Sequence, residues 1–171
     1  MPVSAQPRPE PRPLDPAVEI REARADEIED LLPLMRGYCE FYEADPDDAG
    51  LRAMARSLIE DSSQGFMLIA RAAEGAALGF ATVDWKWSML KGARVGYLED
   101  LFVSPEARGG GIADALIDAC AQRCRERGMP ALQWLTATDN HRAQAVYDRV
   151  GGRSEAFLEY ELVLGGRARV K

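Results

Sequence analysis

Three consecutive glycines, Gly109-Gly110-Gly111, join an apolar stretch to a long amphipathic one, and this junction constrains the chain more than any other feature. Upstream, residues 97–103 read as a buried strand; downstream, residues 112–127 read as a helix that stops at Gly128. Glycine lacks a Cβ, so its backbone takes unusual φ values and lets a ligand come close. The first amides of the following helix have no intrahelical acceptor and carry roughly half a positive charge from the macrodipole. Strand, glycine loop and helix start together make a site for phosphate groups, and the neighbouring Arg108 can add charge-assisted bonds. A plain flexible turn is the alternative. Two rival phosphate loops fit less well. There is no G-x-x-x-x-G-K-[ST] string, and a dinucleotide fingerprint would want glycine or alanine where Asp114 stands.

The remaining segments arrange themselves around that junction. Residues 1–17 carry Pro2, Pro7, Pro9, Pro11, Pro13 and Pro16 and read as a disordered, polyproline-like tail with no part in the chemistry. One domain is expected over 18–165, and 166–171 form a short C-terminal tail. Residues 18–23 alternate like a half-buried first strand. Helices are expected after Asp26 and after Asp47-Asp48, with Pro33 bending or restarting the first. Residues 66–70 and 78–85 predict two strands joined around Glu74-Gly75, and residues 131–136 a further one. Asn140 then caps a helix over 141–150, and 157–164 reads as a final strand. This order predicts an α/β fold, a mixed sheet with helices on its faces.

At 171 residues the chain has the length of one domain with a real core. Its 21 Lys and Arg against 28 Asp and Glu leave a net charge of −7, which disfavours nucleic acid and mildly favours a cationic substrate. No apolar run approaches the roughly 18 residues that span a bilayer, and no signal-peptide pattern opens the chain. A cytoplasmic location without membrane contact is therefore expected. The 3 cysteines and 1 histidine fit reduced thiols and no metal site. Cys120 and Cys124 share a helix face and suit packing, and His141 suits a surface.

Arg108-Gly-Gly-Gly-Ile-Ala113 is similar to the [QR]-x-x-G-x-[GA] signature of the GNAT superfamily of acyl-CoA N-acyltransferases. The preceding Leu101-Phe-Val-Ser-Pro-Glu-Ala and the later Asn140…Tyr147…Gly151 run also resemble that family, over about residues 18–164. The resemblance implies a GNAT fold: a mostly antiparallel twisted sheet, helices on both faces and a splayed parallel strand pair. It implies acetyl-CoA as cosubstrate, with its pyrophosphate on the amides of Arg108, Gly109, Gly110, Gly111, Ile112 and Ala113, and Asp114 following in the first turn. Backbone groups near Phe102 and Val103 would pair with the pantetheine arm, and Asn140 would lie close to the CoA or simply cap its helix.

Acetyl transfer needs a neutral amine, a polarised thioester and a proton for the departing thiolate. By resemblance, Tyr147 is the proton donor, with a strand amide near Val103 as oxyanion donor. Glu99 and Asp100 stand together on a strand otherwise expected to be buried, where carboxylates are rare without partners. Strict alternation lets only one of them face the gap. The string Leu98-Glu-Asp-Leu-Phe-Val103 is similar to that of spermidine/spermine-type acetyltransferases, which makes Glu99 the base and Asp100 a substrate or structural residue. Asp84 and Trp85 are candidates for the acceptor side, and Glu40, Glu43, Asp45, Asp47 and Asp48 add an acidic helix region. The expected function is transfer of acetyl to a small primary amine of the diamine or polyamine kind, by direct attack in a ternary complex. The alternatives are a protein N-terminal or lysine acetyltransferase, a catalytically silent CoA-binding module, or a nucleotide-binding protein. Family habit and the apolar last strand are compatible with a homodimer.

Overall fold

A computed structural model describes residues 10–164. Its sheet has five strands in the order β1 (Val18–Glu22), β2 (Gly65–Ala72), β3 (Ala77–Ser88), β4 (Ala93–Val103) and β5 (Leu132–Gln133). Neighbours from β1 to β4 run antiparallel, and β4 and β5 run parallel. Strand β2 is apolar on both sides because helices cover both faces of the sheet. On one face lie α1 (Ile28–Phe41) and α2 (Asp48–Glu60), packing Leu31, Met35 and Leu58 on Met67, Ile69, Phe80 and Phe102. On the other lies α3 (Ile112–Glu126), whose Leu116, Cys120 and Cys124 meet Leu68, Ala81, Val83 and Leu98. The three cysteines are free and buried, and Cys120 and Cys124 pack on the sheet as expected. Helix α4 (His141–Arg149) docks beside α3.

Local chemistry explains the element starts. The Asp47 side chain accepts from the Gly50 amide at 2.6 Å, and Asn140 does the same for Ala143 at 3.2 Å. Pro33 sits within the first turns of α1 without ending it. Before α1, Glu27 is buried and held by the Arg21 guanidinium through two 2.7 Å bonds, by Arg71 at 2.9 Å and by the Arg24 amide at 2.9 Å. The hydrogen bonds from Arg21 pull its carboxyl down to about 2.

Two expectations differ from the structure. Strand β5 is confined to Leu132–Gln133, so the pairing with β4 stops after Tyr97. Residues 157–164 form no strand, and Phe157, Leu158, Tyr160 and Leu162 stay exposed. A strand exists only through its ladder, and β5 pairs too briefly to extend the sheet toward this segment. Of the expected tails, residues 1–9 and 166–171 lie outside the described residues; residues 10–17 make specific contacts, with Leu14 packed against the α3-side core. Among the described residues no helix is long and apolar enough to cross a membrane, and no group of three or more His, Cys, Asp or Glu side chains is placed to hold a metal ion.

Candidate active site

The short pairing of β5 opens the sheet. Beyond Gly96 and Tyr97, the outer edge of β4 has no strand partner among the described residues, so Leu98 to Val103 border a gap between two diverging parallel strands. Phe102 and Val103 pair with Phe80 and Gly79 on their inner side and lie along this open edge on the other. Past the end of β5, the buried Thr136 hydroxyl has no hydrogen-bond partner among the described residues. An open backbone edge with a spare hydroxyl suits an extended ligand carrying amides.

At the far end of that edge the chain turns through the glycine loop. The Arg108 side chain donates from Nε to the Val103 carbonyl at 2.9 Å, tying the loop to the strand, and stacks over the Phe102 ring at 5.6 Å. Gly109 and Gly111 have φ of 92° and 78°, left-handed values that a side chain would strain. Among the described residues, no amide from Gly109 to Ala113 donates to a protein acceptor, and the first helical bond runs from Ala115 to the Gly111 carbonyl. These unpaired donors converge at a helix N-terminus, the arrangement that a diphosphate satisfies. Partial burial, then the nearby Arg142 guanidinium, lower the basicity of Arg108, so an anion here would relieve like-charge repulsion.

Asp114 takes a different part from the expected one. It is 4% exposed, and its two carboxylate oxygens are held by the Arg149 fork at 2.8 Å each. Burial raises its carboxyl, but the Arg149 bonds prevail and hold it below the usual carboxylate range. Its charge is spent on fixing α4 to α3 and is not free to meet a ligand. Asn140 likewise uses its side chain as the helix cap, and His141 is exposed.

Strand β4 carries the carboxylates. Thr82 pairs with Asp100 and Val83 with Leu98, so Glu99 is an extra residue without a partner, a β-bulge. Leu98 therefore packs on the α3 side, while Asp100 lies with Thr82 on the α1 side. Strict alternation, which admits only one of the two acidic residues, fails at this bulge. Asp100 accepts from the Thr82 hydroxyl at 2.5 Å and its amide donates back to Thr82 Oγ1 at 3.1 Å. Glu99 is exposed on the strand, yet partial desolvation raises its carboxyl, and the Asp84 and Asp100 charges raise it further against the pull of Lys86. Asp84 is raised in the same way, by burial and then Asp100. Asp84, Glu99 and Asp100 thus lie on the paired strands β3 and β4, and the two whose carboxyls are raised feel the negative charge of their neighbours, a setting that favours a cation.

Tyr147 projects from α4 against the Trp134 ring, with centroids 5.3 Å apart. Burial, then Tyr42, push its phenol up to about 12, so it keeps its proton at neutral pH and can give it to a strong base. Sequence reasoning did not single out Tyr38 and Tyr42. They sit four apart on one helix face, with rings 4.9 Å apart. Burial raises the Tyr38 phenol, as do the nearby Asp100 carboxylate and Tyr147, so α1, β4 and α4 bring their polar groups to one place. Helix α1 approaches closely because residue 37 is glycine: a Cβ there would lie 2.8 Å from the Phe102 ring. Trp85 does not join this group. It is 8% exposed, stacks on Phe66 at 5.1 Å in the α3-side core and donates to the Ser62 carbonyl at 2.9 Å.

Comparison with known proteins agrees with this geometry. The model of the acetyltransferase (GNAT) family matches residues 28–152. The uncharacterized N-acetyltransferase YhfO of Bacillus subtilis (strain 168) is 28% identical over 144 residues, 84% of this chain and 95% of that protein. The thialysine N-epsilon-acetyltransferase of Bos taurus is 27% identical over 144 residues, 80% of this chain and 84% of its own. Among solved structures, AAC(6')-Iy in complex with a bisubstrate analogue, CoA-S-monomethyl-acetylneamine, superposes with a TM-score of 0.74 at 25% identity, covering 85% of this chain and 98% of that one. A splayed parallel pair, a glycine loop with free amides and a family match over most of its length make this chain a member of the GNAT family of acetyl-CoA-dependent N-acetyltransferases.

Proposed function

We propose that the chain acetylates a small primary amine bearing more than one positive charge, of the diamine or polyamine kind, by direct attack on acetyl-CoA. The observation that carries this reading is the placement of three carboxylates, Asp84, Glu99 and Asp100, on the paired strands β3 and β4 beside the gap, where their charges raise Asp84 and Glu99 and Lys86 opposes them at Glu99. A dicationic acceptor would compensate those charges. The names of two relatives point the same way: one acts on thialysine, and another, from Stenotrophomonas maltophilia, is an aminoglycoside N(6')-acetyltransferase.

In this mechanism the loop amides from Gly109 to Ala113 and Arg108 hold the diphosphate of acetyl-CoA, and the open β4 edge at Phe102 and Val103 lines its pantetheine arm. The thioester carbonyl is polarised by a strand amide near Val103. Glu99 takes the ammonium proton, directly or through water, and Asp100 and Asp84 hold the charged end of the acceptor. The free amine attacks the thioester carbonyl, and the C–N bond forms as the C–S bond breaks. Tyr147 then protonates the leaving thiolate, and its phenolate is restored from solvent.

The test is CoA release from acetyl-CoA across a panel of diamines, monoamines, lysine-bearing peptides and free N-terminal peptides, with Tyr147→Phe beside the wild type. Turnover confined to diamines and polyamines, cut about 100-fold or more by Tyr147→Phe, is the expected result. Preference for peptides would make the chain a protein acetyltransferase. Binding of acetyl-CoA without release to any acceptor would make it a silent CoA-binding module.

A further inference from the structure

The proline-rich segment before β1 is not idle. Its backbone crosses the glycine loop so closely that a Cβ on Gly111 would lie 2.4 Å from the Pro13 carbonyl oxygen and 2.8 Å from that of Arg12. The Arg12 amide donates to Asp114 at 3.2 Å, and Arg12 Nη1 reaches the Gly109 carbonyl at 3.4 Å. Leu14 anchors the segment in the α3-side core. Between strap and helices lies a cavity of about 380 Å³ lined in part by Pro11, Arg12, Asp114, Asp118 and Val150.

Proline on both sides of Arg12 restricts the backbone, so little entropy is lost in holding the strap in one shape. The Arg12 side chain is exposed, makes one long bond to a carbonyl and has no carboxylate within 4.0 Å among the described residues. Its guanidinium is thus held at the rim of a row of unpaired amides with no counter-charge among the described residues. Five donors in a planar fork suit phosphate oxygens better than a lone carbonyl.

We propose that Arg12 is a ligand of the diphosphate of acetyl-CoA, delivered to the loop from outside the acetyltransferase core by the strap over residues 11–14. This rests on the acetyl-CoA reading above. It gives the proline-rich segment a role in cosubstrate binding. It also explains why Gly111 needs both its positive φ and its missing side chain: the first turns the loop, and the second lets the strap pass.

Calorimetric titration of the full chain with acetyl-CoA and with 3'-dephospho-acetyl-CoA, for wild type, Arg12→Ala, Arg12→Lys and Arg12→Glu, tests the proposal. Loss of one charge-assisted phosphate contact at an exposed rim is expected to weaken both ligands about fivefold to tenfold in Arg12→Ala. Arg12→Lys should recover part of the loss, Arg12→Glu should exceed it, and added salt should weaken wild type more than Arg12→Ala. Ligand-free melting temperatures should stay together, because the backbone contacts of the strap survive these changes. Unchanged affinity in Arg12→Ala, tighter binding from relief of an obstruction, or weakening confined to the ligand with the 3'-phosphate each overturn the proposal. Failure of the wild type to bind either ligand would instead sink the acetyl-CoA reading itself.

Discussion

Asp114→Asn removes the charge that Arg149 answers, in a place where the carboxylate is buried and the guanidinium has little access to water. The carboxylate is 4% exposed and the guanidinium 14%, and both of their bonds are 2.8 Å. Breaking a buried pair by neutralising one partner costs about 3–5 kcal/mol, because the other charge stays buried and uncompensated. Arg149 keeps one further bond, to the Ala145 carbonyl at 3.2 Å, and reaches some solvent, so the lower end, about 3 kcal/mol, applies here. For a chain of this size that lowers the melting temperature by about 6–12 °C. Chemical and thermal unfolding followed by circular dichroism at pH 7.5 measures it. The double variant Asp114→Leu/Arg149→Met should recover most of the loss, since apolar groups of similar volume replace the pair without a stranded charge. Helix α4 also carries Tyr147, so turnover should fall in Asp114→Asn even below the melting transition. A single variant within about 1 kcal/mol of wild type, or a double variant no better than the single, would refute the claim that this pair fixes α4.

Two further outcomes follow from the carboxylates. Glu99 is raised above the ordinary 4.5 by partial desolvation and by Asp84 and Asp100, and it accepts a proton only when ionised, so kcat/KM should fall as pH drops through that raised value. Glu99→Gln should lower kcat/KM about 100-fold and abolish that acidic limb, and a limb that survives the change assigns the base elsewhere. Glu27 is lowered from 4.5 to about 2, so its contribution is whole above the unfolded value and is lost as pH falls from about 5 toward 2. The shift corresponds to about 3 kcal/mol, and Glu27→Gln should flatten the acid-unfolding curve over that window as well as lower stability at neutral pH.

Much of this architecture was legible in the chain before any coordinates. Periodicity located α1 to α4 and the first four strands because each has a clear apolar face or a run buried on both sides. The glycine loop was legible for a chemical reason: few residues other than glycine can hold φ near 92° and 78°. Long-range geometry was not. The bulge at Glu99 depends on how β4 meets β3, and alternation within one strand gives no sign of it. Trp85 beside Asp84 looked like a wall of the acceptor site, yet adjacent strand residues face opposite ways and the tryptophan went to the core. Tyr38 and Tyr42 gain meaning only from a sheet that brings Asp100 and Tyr147 to them. The contacts of residues 10–17 were not legible either, since composition reports that a stretch cannot join a helix or sheet and says nothing of what it lies against.

The bulge has a consequence for how such a protein can change over generations. Because Glu99 is surplus to the ladder, the other side chains of β4 keep their faces with or without it. Leu98, Leu101 and Val103 go on filling one core, and Asp100 and Phe102 stay on the other face. The position proposed for the base and the packing positions are thus written independently along one strand. Exchange at residue 99 can retune the acceptor chemistry while the scaffold is left untouched, which makes this strand a place where new substrates can be tried without first risking the fold.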